Sequence, residues 1–182
     1  MDMVLSEAGK ACLLAAARES IEAALEKRQP RFRDSAPELE ASCGVFVTLR
    51  TDAGELRGCI GNLSGRGKSL YELVPEMALA SAFEDPRFAP VLLDEIKNLS
   101  IEISTLSEFM EASPEDVVPG RHGILIRRGR NSGLLLPQVA SEQGWDREQF
   151  LRHGCLKAGL AQESWKEDGT LISVFTALVF RE

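Results

Sequence analysis

Alternation of hydrophobic and polar positions predicts at least six β-strands. Residues 44–50 and 56–60 have the composition of strands, and the short loop between them contains Gly54 where a turn favours positive φ, so the two are predicted to form a hairpin. Residues 99–106 alternate most clearly, with apolar side chains at the odd positions from 99 to 103 and polar ones between them. This pattern is typical of a strand with one buried face.

Three further segments complete the predicted strands. Residues 122–128 and 133–136 are apolar on both faces, which predicts two centrally buried strands joined by a hairpin loop over 129–133. Residues 170–181 alternate more weakly and are predicted to form one last strand that closes the sheet.

Helical periodicity and capping residues predict three main helices. Residues 5–27 carry apolar side chains at 3.6-residue spacing, with Ser6 as N-cap. Ser69 is predicted to cap a helix that runs to about Phe83, and Pro75 should kink or restart that helix. Asp146 can cap another helix that ends near Lys157. The mixture predicts an α+β fold, although the pattern does not order the strands.

Length and composition favour one domain, or two lobes that share a core. The chain has 182 residues, of which 44% are hydrophobic, enough to build such a core. We expect a single domain over 1–182, with a helical N-terminal segment over 1–28 and a polar loop over 29–42 that contains Pro30 and Pro37.

Charge and cysteine spacing exclude several function classes. The net charge of −7 argues against nucleic acid and anionic membrane surfaces as partners. Charged residues near the N-terminus, such as Glu7 and Lys10, leave no apolar run for a signal peptide or a membrane span. The four cysteines have no zinc-ligand spacing, so we expect no metal and no cofactor, and reduced thiols in the cytoplasm.

The motif Leu-Arg-Gly-Cys-Ile-Gly over 56–61 is the strongest candidate for chemistry. In a regular strand Arg57 and Cys59 share a face, and a nearby guanidinium favours the thiolate form of a cysteine. Gly58 and Gly61 would let backbone or a ligand come close to the sulfur. A cysteine in a strand is also commonly a small packing residue, so both interpretations of Cys59 stay open.

Other candidate residues lie farther along the chain. Asp85 and Arg87 flank a proline and would form a salt bridge that braces the loop, or a cleft wall that orients a substrate. Glu102 faces water or, if its strand neighbours 56–60, lies near Arg57 and Cys59. His122 is either a general base at the start of a strand or a satisfied turn histidine.

Several motifs together resemble the AMMECR domain family. They are residues 56–61, 82–88, 99–104, 120–124, 133–140, 143–146 and 155–160, with Trp165. Their order and spacing match over nearly the whole chain. The resemblance implies an α+β fold with mixed sheets flanked by helices, in which two intimately packed lobes enclose a cleft lined by the signature strand. It also implies the bacterial and archaeal branch whose genes often lie beside a Memo-like protein and a radical-SAM enzyme, which are therefore the expected partners.

Three functions are compatible with these residues. In a thiol-centred enzyme, Cys59 would be the nucleophile or covalent carrier and His122 the base, while Glu102 or Asp85 would orient His122. The substrate would contact Arg57, Gly58, Gly61, Asp85 and Arg87. Alternatively, the chain is a non-catalytic binding module that presents a small-molecule or peptide site to its partners, or it is itself the protein substrate that the radical-SAM enzyme modifies.

Overall fold

Two four-stranded antiparallel sheets, each with helices packed against it, make up the computed structural model of the protein, which describes residues 4–32 and 36–182. The α-helices in this part of the chain are α1 (Glu7–Leu25), α2 (Leu70–Phe83), α3 (Pro137–Gln143) and α4 (Arg147–Lys157). The strands are β1 (Val45–Thr51), β2 (Leu56–Asn62), β3 (Leu99–Leu106), β4 (Met110–Glu111), β5 (Gly123–Arg128), β6 (Asn131–Leu135), β7 (Leu171–Phe175) and β8 (Ala177–Arg181). The α+β prediction is therefore confirmed.

The chain divides into two compact units, which are described separately. The first comprises the described residues up to Leu106 together with Leu178–Glu182, and the second is Ser107–Ala177. The predicted N-terminal segment over 1–28 and the polar loop over 29–42 include residues 1–3 and 33–35, which lie outside the described residues. Within the rest of that loop, Pro37–Glu40 forms a short 3-10 turn.

The helices of the first unit begin at the predicted caps. Ser6 Oγ accepts a hydrogen bond from the Gly9 amide at 3.0 Å, and Ser69 forms a capping box with Glu72. The prediction that Pro75 restarts the second helix is wrong, because α2 continues through it. A proline removes one amide donor, and we infer that this cost is outweighed by the burial of neighbours such as Leu73 and Val74.

Strand order in the first sheet is β2-β1-β3-β8, so β2 is an edge strand and β1 separates it from β3. Thr48 of β1 pairs with Cys59 on one side and with Glu102 on the other. The condition under which Glu102 would lie near Arg57 and Cys59, that its strand neighbours the signature strand, is therefore not met. Glu102 is two strands away from Cys59, on the order of 10 Å in the hydrogen-bonding direction.

The two faces of this sheet differ in polarity. Side chains such as Val47, Leu49 and Ile101 are fully buried in one hydrophobic core together with the apolar residues of α1 and α2. The alternate positions carry several polar side chains, among them Thr48, Cys59 and Glu102. The alternation predicted for residues 99–106 is confirmed over 99–103, where the odd positions are the buried ones, whereas residues 104–106 are all buried.

In the second unit the strand order is β4-β7-β5-β6. β5 is central as predicted, but β6 is an edge strand and not a central one. Its apolar side chains are shielded on one side by α4, which packs against β5 and β6. The hairpin loop is also shorter than predicted, because Arg128 and Asn131 already pair.

Residues 170–181 form two strands instead of the single strand predicted. β7 pairs with β4 and β5, whereas β8 belongs to the sheet that contains β3. The break falls at Thr176, whose amide donates to Ser107 Oγ at 2.9 Å and whose carbonyl accepts from the Ser107 amide at 2.9 Å. A change of sheet leaves no mark on alternation, so the pattern predicts one strand.

Helix α3 was not predicted, because the residues after the strand predicted over 133–136 were assigned no element. Proline is favourable at the first position of a helix, where its missing amide is not needed, and α3 begins at Pro137 and ends before Gly144 in the left-handed region. Pro114–Asp116 forms a short 3-10 turn, and Asp146 caps α4 as predicted. No helix among the described residues is long and apolar enough to cross a membrane.

Candidate functional site

Cys59 lies in the middle of edge strand β2, with its side chain half-buried. The Thr48 hydroxyl, on the neighbouring strand directly opposite, donates a hydrogen bond to Cys59 Sγ at 3.3 Å. The sulfur therefore has a polar partner on the adjacent strand.

The backbone of Cys59 is held from outside the sheet by the loop that follows α2. The Cys59 amide donates to Asp85 Oδ2 at 2.9 Å, and Arg87 Nη2 donates to the Cys59 carbonyl at 3.3 Å. Arg87 is itself bound to Asp85, through Nε at 2.9 Å and Nη2 at 2.7 Å. The loop therefore supplies both hydrogen-bond partners that a further strand would otherwise supply at this edge.

This ion pair is the salt bridge that was one of the two alternatives predicted for Asp85 and Arg87. The Asp85 side chain is only 2% exposed, and hydrogen bonds from Arg87, assisted by the Cys59 amide, hold the pKa of its carboxyl far below the usual range. The same hydrogen bonds raise the pKa of Arg87, whose side chain is 54% exposed. The role of the two residues in substrate binding stays a prediction.

Arg57 does not have the surroundings that regular alternation predicts. Leu49 pairs with Gly58 and Arg50 pairs with Leu56, so Arg57 is the extra residue of a β-bulge. Its guanidinium binds the Glu95 carboxylate through Nε at 2.7 Å and Nη2 at 3.1 Å, and this pairing lowers the pKa of Glu95. A bulge re-aims a side chain, and here the guanidinium is engaged by a carboxylate and not by the thiol.

The two glycines of the motif are positions of close packing. A Cβ at Gly58 would overlap the Ser81 carbonyl oxygen of α2, and a Cβ at Gly61 would overlap the Phe46 ring. Of the two alternatives, backbone or ligand, the structure therefore shows backbone against Gly58. Ser81 also joins the strands through its hydroxyl, which accepts from the Ile60 amide at 2.9 Å and donates to the Val47 carbonyl at 2.7 Å.

The other two predicted catalytic residues, Glu102 and His122, make contacts of their own. Glu102 is half-buried on β3, where Arg50 approaches its carboxylate to 4.0 Å. His122 belongs to the second unit and precedes β5; its Nδ1 lies 3.2 Å from the Val118 amide and 3.1 Å from the Asp116 carbonyl. These local contacts match the alternative of a satisfied turn histidine, and catalytic roles for Glu102 and His122 stay predictions.

Comparison with known proteins identifies the family. The AMMECR1 family model matches residues 14–180. The chain belongs to the AMMECR1 family. It is 40% identical to protein NEQ441 of Nanoarchaeum equitans over 174 residues, covering 91% of this chain and 96% of that protein. It is 42% identical to protein PH0010 of Pyrococcus horikoshii over 185 residues, covering 93% of this chain and 88% of that protein.

The crystal structure of the uncharacterised PH0010 has the same fold. It matches this chain with a TM-score of 0.86 and 39% sequence identity, covering 100% of this chain and 94% of the other. Both the sequence and the structural match therefore extend over nearly the whole AMMECR1-family chain, including β2 and the loop that holds Cys59.

Sequence reasoning missed three residues of this AMMECR1-family site: Thr48, Ser81 and Glu95. Ser81 and Glu95 act through contacts that join distant parts of the chain, and Glu95 is 38 residues from its partner Arg57. For Thr48 a signal was present, because it is a polar residue between two apolar ones in its strand. Once the bulge is known, the register of the hairpin places Thr48 opposite Cys59.

The other three cysteines of the AMMECR1-family chain lie in different surroundings. Cys155 is fully buried in the core of the second unit, and burial raises the pKa of its thiol. Burial also raises the pKa of Cys43 to about 11. Cys12 packs half-buried on α1 against the core of the first unit. The Cys59 sulfur has a hydroxyl donor, and side chains bind both the amide and the carbonyl of its backbone.

Proposed function

We propose that this AMMECR1-family protein is a thiol-centred enzyme or enzyme component that acts through Cys59. One observation carries the proposal: the half-buried sulfur accepts a hydrogen bond from Thr48, while the ion pair of buried Asp85 with exposed Arg87 binds the amide and carbonyl of the same residue. A packing cysteine needs none of these contacts, whereas a reacting group gains from being held in one geometry.

The chemistry proposed is attack by the Cys59 thiolate on an electrophilic carbon. The thiol proton leaves to solvent or to a base, the sulfur–carbon bond forms, and the leaving group departs from that carbon with its electron pair. Thr48 supports this step because its hydroxyl donates to the sulfur, and that bond strengthens as negative charge develops there.

The proposed setting is the cytoplasm, and the proposed partners are a Memo-like protein and a radical-SAM enzyme. The support for both partners is the family resemblance. Co-expression with a Memo-like protein and a radical-SAM enzyme, followed by affinity capture and intact-mass measurement, tests whether these are the partners. Capture of neither partner by the wild-type chain would contradict it, and a mass increase that Cys59→Ser abolishes would make Cys59 the residue that is modified.

The experiment that tests the thiol itself is site-resolved alkylation with iodoacetamide, read by mass spectrometry between about pH 6 and about pH 9. We expect Cys59 to react in the folded protein while Cys43 and Cys155 do not, because burial keeps those two thiols protonated. Unfolded protein, in which all four cysteines react, is the control. A Cys59 that reacts only after unfolding would contradict the proposal.

A second candidate, a non-catalytic binding module, is favoured by the pairing of charges around Cys59. Arg57 is bound to Glu95 and Arg87 to Asp85, so these four groups neutralise one another in pairs. Cys59→Ser separates the two functions: it should abolish turnover by an enzyme, whereas a binding module should retain its partner with the serine in place.

A further inference from the structure

Two arginines reach the surroundings of Cys59, and they differ in what remains free to bind a ligand. Arg57 has a side chain that is only 15% exposed, and its bulged position directs it to Glu95. Its Nη1 is buried without a hydrogen-bond partner. A ligand would have to displace protein to reach this guanidinium.

Arg87 is open to solvent, with 54% of its side chain exposed. Asp85 takes the edge of the guanidinium formed by Nε and Nη2, and the Cys59 carbonyl takes a second bond from Nη2. None of these bonds uses Nη1, which keeps its N–H donors for a ligand. A guanidinium can bind carboxylates on more than one edge, since its donors form a rigid fork.

The position of Arg87 relates this free donor to the reacting sulfur. Its Nη2 donates to the carbonyl of Cys59 at 3.3 Å, so the guanidinium lies next to the residue that carries the thiol. The Cys59 side chain is close enough to contribute electrostatically to the raised pKa of Arg87, after the larger contribution of Asp85. The Phe88 ring lies on the same guanidinium, 5.5 Å from its central carbon, which restricts the directions it can take.

We propose that the substrate of Cys59 carries a carboxylate next to its electrophilic carbon, and that Arg87, not Arg57, binds this carboxylate through Nη1. The proposal rests on the proposed function, because it names the substrate class of the same site. It also narrows the sequence-based prediction, in which both Arg57 and Arg87 contact the substrate. Asp85 then has a positioning role, since it holds the opposite edge of the guanidinium.

Two alkylating probes that differ in charge test this proposal. With iodoacetate and iodoacetamide alike, the Cys59 sulfur bonds to the methylene carbon, iodide leaves with the bonding electrons, and the thiol proton passes to the buffer. Only iodoacetate carries a carboxylate. The ratio of the two rates at Cys59, measured by mass spectrometry on the full chain, therefore reports carboxylate recognition separately from thiol reactivity.

Arg87→Gln should lower the iodoacetate-to-iodoacetamide ratio at Cys59 by about five-fold, as expected for loss of one partly exposed ion pair. Lys97→Gln is the matched control, because it removes the same charge from an exposed residue in the same segment between α2 and β3. The control should leave the ratio at the wild-type value. An unchanged ratio in Arg87→Gln, or an equal fall in Lys97→Gln, would overturn the proposal.

A measurement on the wild-type protein tests the same proposal if Arg87→Gln disturbs the fold. Sodium acetate should slow iodoacetamide alkylation of Cys59 relative to sodium chloride at equal ionic strength, because acetate occupies Arg87. Equal rates in the two salts would contradict carboxylate binding. Failure of the proposed function has a different signature, since Cys59 would then react with neither probe in the folded protein.

Discussion

Both units contain a hairpin whose second strand lies at the edge of its sheet, and the two edges are built differently. β2 and β6 each have a glycine on which a helix packs backbone to backbone: a Cβ at Gly58 would overlap the Ser81 carbonyl, and one at Gly133 would overlap the Ala158 amide. Only β2, however, has its edge held by a buried carboxylate and an arginine.

The comparison separates packing from chemistry within the signature motif. A close approach of helix and strand also occurs at β6, where a Cβ at Gly133 would overlap the Ala158 amide. A glycine that permits such packing is therefore not by itself a functional signal. At the hairpin end of β6, Asn131 makes only a long 3.4 Å bond to the Gly159 carbonyl. The polar groups gathered on Cys59 have no counterpart among the hydrogen bonds described for β6. They are the part of the motif that packing leaves unexplained.

The largest effect is expected from filling the two glycine positions. Gly58→Ala and Gly133→Ala should each destabilise the fold by about 2–3 kcal/mol, because the added methyl meets backbone that cannot rotate away. Urea unfolding followed by circular dichroism measures this loss. Ser132→Ala, on the exposed part of β6, is the control and should lie within about 0.5 kcal/mol of wild type. If Gly58→Ala unfolded at the wild-type urea concentration, close packing would not be the reason for a glycine at this position.

Asp85→Asn tests the clamp that distinguishes β2 from β6, namely the Asp85–Arg87 pair bound to the Cys59 backbone. It should destabilise the protein by about 2 kcal/mol, since hydrogen bonds to a buried charged acceptor become bonds to a neutral amide, which also presents donors to Arg87. Asp52→Asn makes the same chemical change in the exposed turn of the β1–β2 hairpin and should have little effect. Equal urea midpoints for the two variants would show that the clamp contributes nothing to stability.

Acid should remove this contribution from the wild type. The pKa of Asp85 is lower in the folded than in the unfolded chain, so the unfolded state binds more protons between the two values and stability rises with pH there. The stabilisation is complete above the unfolded value of about 3.9 and is lost as the pH falls towards the folded value. The stability gap between wild type and Asp85→Asn should therefore narrow below about pH 4.

Unfolding curves at several pH values measure that gap. Other carboxylates also lose ion pairs in acid, among them Glu19, whose pKa is lowered to about 2 by Arg28. They act equally in both proteins and cancel in the difference. A gap of constant size down to about pH 2.5 would mean that Asp85 is not the group that titrates.

Thr48→Val should have the smallest effect on stability, about 1 kcal/mol, with a clear effect on the thiol. Valine has nearly the shape of threonine without the donor, so Cys59 alkylation below about pH 8 should slow by about three- to ten-fold. Thr48→Ser keeps the hydroxyl and should react at close to the wild-type rate. Equal rates in the valine and serine variants would show that the hydroxyl does not assist the sulfur.

Local signals predicted much of the fold. The caps Ser6, Ser69 and Asp146 were found because capping needs only the next few residues, and the alternation of 99–106 was found because one face of β3 is buried. The same reasoning missed helix α3 and joined β7 to β8. Proline both ends strands and begins helices, and alternation has the same period in either sheet.

The candidate site was predicted residue by residue but not as an arrangement. Cys59, Asp85 and Arg87 stood out from their neighbours, yet the bond from the Cys59 amide to Asp85 spans 26 residues and has no periodic signal. The surroundings of Arg57 were predicted wrongly because of one β-bulge. Residues 49 and 50 of β1 pair with residues 58 and 56 of β2, so the alternation that would place Arg57 beside Cys59 is broken at Arg57.

The sequence by itself determined most of the secondary-structure elements, the buried face of the clearest strand and the choice of Cys59 as the candidate residue, because these depend on periodicity and on side-chain chemistry. The tertiary structure alone decided that β2 is an edge strand, that Glu95 engages Arg57, and that Arg87 remains open beside Cys59. Strand order and long-range hydrogen bonds arise when distant segments are packed together, and no local pattern records which of them meet.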